Sequence, residues 1–267
     1  MALENPYAAR LQNFASFAFN NEDGFQFRGG WEEFFLTRMG ARPSRVVLEI
    51  GCSIGTLLCQ AAKENPDVGF VGVDWKFKSI YKAARRADSE KLKNIALLRN
   101  RAELIEQAFG LAEVDEVWIF FPDPWAKKSQ LKHRLIRPEF LESLFKIMKP
   151  GAKVFFKTDH PGYFQWIFAL FGVQQPNLPA YDHENPQEKS KRARQMKVRR
   201  LESEQLPEAS VAAQQSFELK RYSIDFWKES RPIEAMFVEA QSNFERLFIK
   251  ENLPIYYVEL VKRDLNS

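Results

Sequence analysis

RVVLEIGCSIG, Arg45 to Gly55, sets the reading of this chain. A β-branched run stops at Gly51, the backbone turns as far as Gly55, and a helical stretch continues to Ala62. The unit then recurs. VGFVGV (68–73) precedes a helix from about Phe77 to Ala87, and NIALL (94–98) a short one near Ala102 to Phe109. EVWIFF (116–121) leads to a helix over Pro138–Met148, and AKVFFKT (152–158), after a KPG turn, to YFQWIFALF (163–171). Short apolar strands alternating with helices imply right-handed crossovers and a mostly parallel sheet covered on both faces. The fold class is α/β, doubly wound.

The alternation ends after Gly172. Residues 173–232 are rich in Gln, Glu, Pro and basic residues, and we read them as an inserted arm with a helix around Glu208–Leu219. SNFERLFI (242–249) reads as a helix and PIYYVELV (254–261) as a strand that closes the sheet. The expected organisation is one domain over 1–267. It has an N-terminal extension (1–44), a core (45–172), the insertion (173–232) and a C-terminal helix and strand (233–267) that complete the sheet.

Within the insertion, KSKRARQMKVRR (189–200) carries seven cations and no acid, more than the whole chain's net charge of +4. Positive charge concentrated in this way suits a polyanion, although a solvated helix face produces the same run. Glu4 and Arg10 interrupt the N-terminus where a signal peptide needs an apolar core, and no window has the length of a membrane span. A soluble, cytoplasmic protein is expected. Cys52 and Cys59 lie outside any CxxC frame, so neither a metal site nor a disulfide is expected.

Ligands of open parallel sheets bind beyond the carboxyl ends of the strands. Gly51 and Gly55 lie there, but Ser53 between them departs from GxGxxG, and a plain strand–helix turn fits the loop as well. Asp74 ends the second strand 23 residues after Gly51, near the spacing at which an acid meets a ribose hydroxyl. Its competing role is a helix N-cap. A glycine loop without room for a pyrophosphate, joined to a ribose-binding acid, fits S-adenosylmethionine better than NAD. Glu49 stands beside it, placed to meet the ligand's charged amino-acid end.

FFPDPWAKKSQLKHRL, Phe120 to Leu135, holds Asp123 between two prolines that stiffen the fourth strand's end, and Lys127, Lys128, Lys132 and Arg134 follow. A proline turn with a solvated Asp is the plainer account. LEIGCSIG, VGVD, FFPDPW with Lys127, KTD and SNFE, in that order and with FRGGWEEFF upstream, resemble the tRNA (guanine-N7)-methyltransferase family. The resemblance covers roughly 25–172 and 240–262.

It implies a seven-stranded Rossmann-like methyltransferase sheet and S-adenosylmethionine-dependent methylation of a guanosine N7 in the variable loop of tRNA. Asp123 would be the catalytic carboxylate. The cofactor would lie against Glu49, Gly51, Ser53, Gly55, Asp74, Asn100, Arg101, Ala102 and Asp123. Lys127, Asp159 and the segment Ser242, Asn243, Phe244 and Glu245 would hold the target nucleotide. Trp125 would offer it a stacking surface, although a tryptophan buried at a strand end accounts for it as well, and the cations after it would pair with tRNA phosphates. No metal is implied, and a monomer is slightly favoured over a dimer.

The chain departs from the family pattern at Ser53, Arg101, Ser129, Gln130 and His133. Arg101 stands where an acid would accept from the adenine amino group, which leaves that task to Asn100 or to backbone near Ala102. The changes at Arg101, Ser129, Gln130 and His133 define the competing reading, a catalytically silent RNA-binding relative. A methyltransferase for small molecules or protein fits the glycine loop alone.

Overall fold

The opening run forms the strand Val46–Ile50 near the middle of an eight-stranded sheet. The computed structural model describes residues 5–178, 206–229, 237 and 241–264, so the basic segment 189–200 lies outside the described residues. In chain order the strands are β1 (Ala18–Asn20), β2 (Val46–Ile50), β3 (Gly69–Asp74), β4 (Ile95–Arg99), β5 (Val114–Phe120), β6 (Met148–Thr158), β7 (Phe217–Ser223) and β8 (Tyr256–Lys262). Their order across the sheet is β1-β4-β3-β2-β5-β6-β8-β7. Pairing is parallel from β1 through β6 and antiparallel for β6–β8 and β8–β7.

Side chains alternate across the pleat, so each central strand feeds two cores. Leu48, Val71, Val117 and Val154 pack on one face under the helices Trp31–Met39, Pro138–Ile147 and Pro161–Leu170. Val47, Phe70, Trp118 and Phe155 pack on the other under Thr56–Glu64 and Phe77–Ser89. No helix among the described residues is long and apolar enough to cross a membrane.

Three expectations are corrected. The sheet has eight strands rather than seven: to the six read in the sequence, the N-terminal extension adds β1 beside β4 and the insertion adds β7 beside β8. The helix expected over Glu208–Leu219 covers only Val211–Ser216, started by Ser210, whose hydroxyl accepts from the Ala213 N–H. From Phe217, which is fully buried, the chain is paid out along β8 instead. The KPG turn lies inside β6, where Gly151 at φ +72° accompanies a break in register against β5.

FRGGW has an architectural task. The Glu113 carboxylate accepts from the N–H groups of Gly29 (3.0 Å), Trp31 (2.7 Å) and Gly110 (2.6 Å). A Cβ on Gly110 would stand 2.7 Å from the Gly29 Cα, so this seam requires a glycine there.

Candidate active site

In the sheet, β2 runs to β3 and β4 on one side, whereas β5 and β6 lie on the other. The point of reversal is the carboxyl end of β2, where ligands of such sheets bind. Register brings the expected residues to that edge. Ile50 lies opposite Val73 and Ile119, Asp74 opposite Arg99, and Phe120 opposite Lys157.

The two glycines of the first loop have different duties. Gly51 has φ +84°, and a Cβ there would meet nothing within 4 Å, so it keeps space open at the strand end. Gly55 has φ +68°, and a Cβ there would lie 2.9 Å from the Ala83 Cβ, so it lets two helices touch. Ser53, at φ +51°, occupies a left-handed conformation at a cost of roughly 1–2 kcal/mol. Its N–H donates to the Asp74 Oδ2 (3.1 Å), which ties the loop to β3.

Asp74 Oδ1 accepts from the Lys76 N–H at 2.8 Å, one residue short of the helix that starts at Phe77. Its side chain therefore braces the turn and faces the glycine loop. Burial raises its pKa above the ordinary range, against the N–H of Lys76, the Lys76 charge and the Ser53 N–H. Trp75 follows it, 58% exposed; the signal for it in the sequence is an aromatic directly after the ribose-spaced acid.

Glu49 is buried, and its Oε2 has no hydrogen-bond partner among the described residues. Its pKa is pushed up to about 8 by burial first, then by Glu245 and Asp74, with Lys157 opposing. Asn100 is also buried. Its Oδ1 accepts from the Arg101 N–H (2.8 Å), and its Nδ2 has no partner among the described residues. A donor thus remains unpartnered, and the oxygen keeps a second lone pair. The Arg101 side chain is exposed, and Ala102 opens a short 3-10 turn.

The Pro-Asp-Pro-Trp segment is bracketed by two left-handed residues, Phe121 (φ +53°) and Trp125 (φ +45°). Phe121 is held by its N–H to the Lys157 carbonyl (2.8 Å) and by stacking with Phe244 and Phe248 of the Asn243–Lys250 helix, at 5.8 and 5.6 Å. Asp123 between them is exposed and makes no hydrogen bond or ion pair among the described residues. Trp125 is half-buried against the His133 ring (5.3 Å), and Phe244, stacked on Phe121, is 40% exposed.

Lys127, Lys128 and Lys132 are exposed, but Arg134 is fully buried. Its Nε donates to the Pro124 carbonyl (2.8 Å), and its guanidinium lies over the rings of Tyr163 and Trp166, at 4.7 and 4.9 Å. The expectation that Arg134 pairs with phosphate is therefore corrected: it props up the loop that carries Asp123.

Asp159 is half-buried at the end of β6, next to His160, whose Nδ1 caps the following helix. Glu245 is fully buried. Its Oε1 meets the Lys157 Nζ at 2.6 Å, and its Oε2 accepts from the Ser242 N–H at 2.9 Å in a capping box. Both oxygens are thereby engaged within the protein, and Glu245 is placed as an anchor of its helix. Asn243 is the first residue of that helix.

The amino-acid sequence matches the family model described as putative methyltransferase over residues 43–207. It is similar to the tRNA (guanine-N(7)-)-methyltransferase of Christiangramia forsetii, 38% identical over 135 residues that cover 51% of this chain and 58% of that one. It is 37% identical to the tRNA (guanine-N(7)-)-methyltransferase of Bdellovibrio bacteriovorus over 139 residues, 52% of this chain and 66% of that one. The chain thus spans less than two thirds of either relative's length. Among solved structures it is similar in fold to the 16S rRNA methyltransferase KamB. That match has a TM-score of 0.51 at 17% identity and covers 87% of this chain and 92% of that one.

Proposed function

From a chain that belongs to the putative methyltransferase family, and within it is similar to the tRNA (guanine-N7)-methyltransferases, we propose transfer of a methyl group from S-adenosylmethionine to the N7 of a guanosine in the variable loop of tRNA. The observation that carries this reading is Asp123: exposed, unpartnered among the described residues, and fixed between two strained residues at the sheet's switch point.

The residues at β2, β3 and β4 fit the donor. The open space at Gly51 gives its amino-acid end room, and the unpartnered Glu49 carboxyl is an acceptor for the ammonium. Asp74 is at the ribose position, beside the exposed Trp75 ring. Asn100 has an unpartnered Nδ2 donor for a ring nitrogen of adenine, and its Oδ1 or backbone carbonyls near Ala102 would accept from the amino group. The bound donor supplies an electrophilic methyl group on a positively charged sulfur.

Guanine N7 carries its own lone pair in the major groove, so the chain has no general base to provide. Asp123 stabilises the positive charge that grows on the purine, an interaction stronger in the transition state than in the ground state. Carboxylates of Asp123 and Asp159 can accept from the guanine N1–H and N2–H₂ edge, which selects guanine over adenine. The base is reached by unstacking. Lys127, Lys128 and Lys132 address the backbone as salt-sensitive phosphate contacts. The reaction is assigned to the cytoplasm, and no metal is called for. Incubation with labelled S-adenosylmethionine and unmodified tRNA tests the proposal: N7-methylguanosine in the digest is expected, and tRNA bound without it would favour the silent relative.

A further inference from the structure

The outward side of the Phe77–Ser89 helix carries charge that folding does not explain. Its inward side, Ile80, Ala83, Ala84 and Ala87, is fully buried. Outward, Lys78, Lys82 and Arg85 are exposed, with Lys76 at the N-cap and no acidic residue in the first turn. Positive charge at a helix N-terminus opposes the macrodipole, and like charges spaced i,i+4, as at Lys78 and Lys82, repel each other. None of these four forms an ion pair among the described residues, and the helix's own acid, Asp88, lies in its last turn.

The charge continues onto the N-terminal helix Pro6–Leu11. Tyr7 and Tyr81 meet at 5.5 Å, with Arg10 over the first ring at 5.9 Å and Arg85 over the second at 6.0 Å. Arg10 is exposed as well. Lys76 to Arg85 alone spans about 13 Å at the rise of an α-helix, long enough for more than one phosphate.

The strip's position gives it a partner. It starts beside Asp74, on the β3 side of β2, whereas Lys127, Lys128 and Lys132 follow β5 on the other side. We propose that Lys76, Lys78, Lys82 and Arg85, with Arg10 beside them, form a second docking surface for the tRNA backbone, so that the substrate straddles the donor site. This rests on the methyltransferase reading above. Cations on both flanks fit a folded polyanion wide enough to touch both, and they orient it over the switch point rather than merely attract it.

The test is a Lys78→Gln/Lys82→Gln/Arg85→Gln variant, with its affinity for unmodified tRNA followed across a salt series. S-adenosylhomocysteine affinity and thermal melting are measured beside it. The expected result is tRNA affinity weakened roughly tenfold or more at low salt, and a log–log salt slope shallower by about 2 to 3. S-adenosylhomocysteine affinity stays as in wild type, and Lys78→Arg/Lys82→Arg keeps the original slope. Wild-type affinity and slope in the triple variant would overturn this surface while leaving the methyltransferase reading intact. A wild-type protein that binds no tRNA would overturn both. If the triple variant melts early, Lys82→Gln alone decides, with a slope change of about one expected and no change contradicting the proposal.

Discussion

Lys157 and Glu245 form an ion pair of 2.6 Å in which both side chains are fully buried, joining the end of β6 to the first turn of the Asn243–Lys250 helix. The ammonium is also boxed by the rings of Phe226, Phe237 and Phe120, at 4.0, 4.5 and 4.7 Å. Because that helix bears Phe244 and Phe248, the pair sets where Phe121 rests and hence where Asp123 is displayed.

Breaking such a pair from one side leaves a buried charge without a counterpart. Lys157→Met should cost about 3–5 kcal/mol in denaturant unfolding. Lys157→Met/Glu245→Gln, which removes both charges and keeps the acceptor for the Ser242 N–H, should recover part of that loss. Equal stability of the single and double variants would contradict the coupling.

Glu49 makes stability and donor binding depend on pH. Folded, it holds its proton up to about 8; unfolded, it titrates near about 4.3. The folded state thus binds the extra proton between those values, and the stabilisation present below the lower value is lost as pH rises through the upper one. Glu49→Gln should therefore be more stable than wild type near about pH 8.5, by on the order of a few kcal/mol of unfolding free energy, and close to it near about pH 4.5. A cationic ligand end draws the carboxylate form, so S-adenosylhomocysteine should bind wild type more tightly as pH rises from about 6 to about 8, releasing a proton. Calorimetry in buffers of different ionisation enthalpy reads that release, and buffer-independent heats would contradict it.

The corrected role of Arg134 separates it from its neighbours. Arg134→Ala removes a buried guanidinium stacked on Tyr163 and Trp166 and bonded to the Pro124 carbonyl, so it should lower the melting temperature and activity together. Lys132→Gln should leave melting within about 0.5 kcal/mol of wild type and flatten the salt dependence of tRNA binding. Similar behaviour of the two variants would restore the phosphate-pairing reading of Arg134.

The contrast marks what was legible in the sequence. The parallel core could be read because its strands are apolar runs buried on both faces, and the glycine loop, Asp74 and Asp123 because they punctuate strand ends. β1 could not, since its three residues, Ala18–Asn20, are too short for any period to show. Arg134 reads as one more cation in a basic run until Tyr163 and Trp166, on a helix that starts at Pro161, fold over it. Lys157 gave a fainter signal, a charge at the end of the apolar run AKVFFKT, but its partner lies 88 residues further on. Glu245 was recognised by its motif, and its anchoring bonds became visible only in three dimensions.

The central claim is that Asp123 is the carboxylate that serves methyl transfer to guanine N7. Single-turnover methylation of unmodified tRNA by wild type and Asp123→Ala, at donor and enzyme concentrations that saturate binding, tests it directly. We predict N7-methylguanosine from wild type, and from the variant a rate lower by about 10²–10³ or more with tRNA affinity largely retained. Wild-type rates in Asp123→Ala would contradict the account.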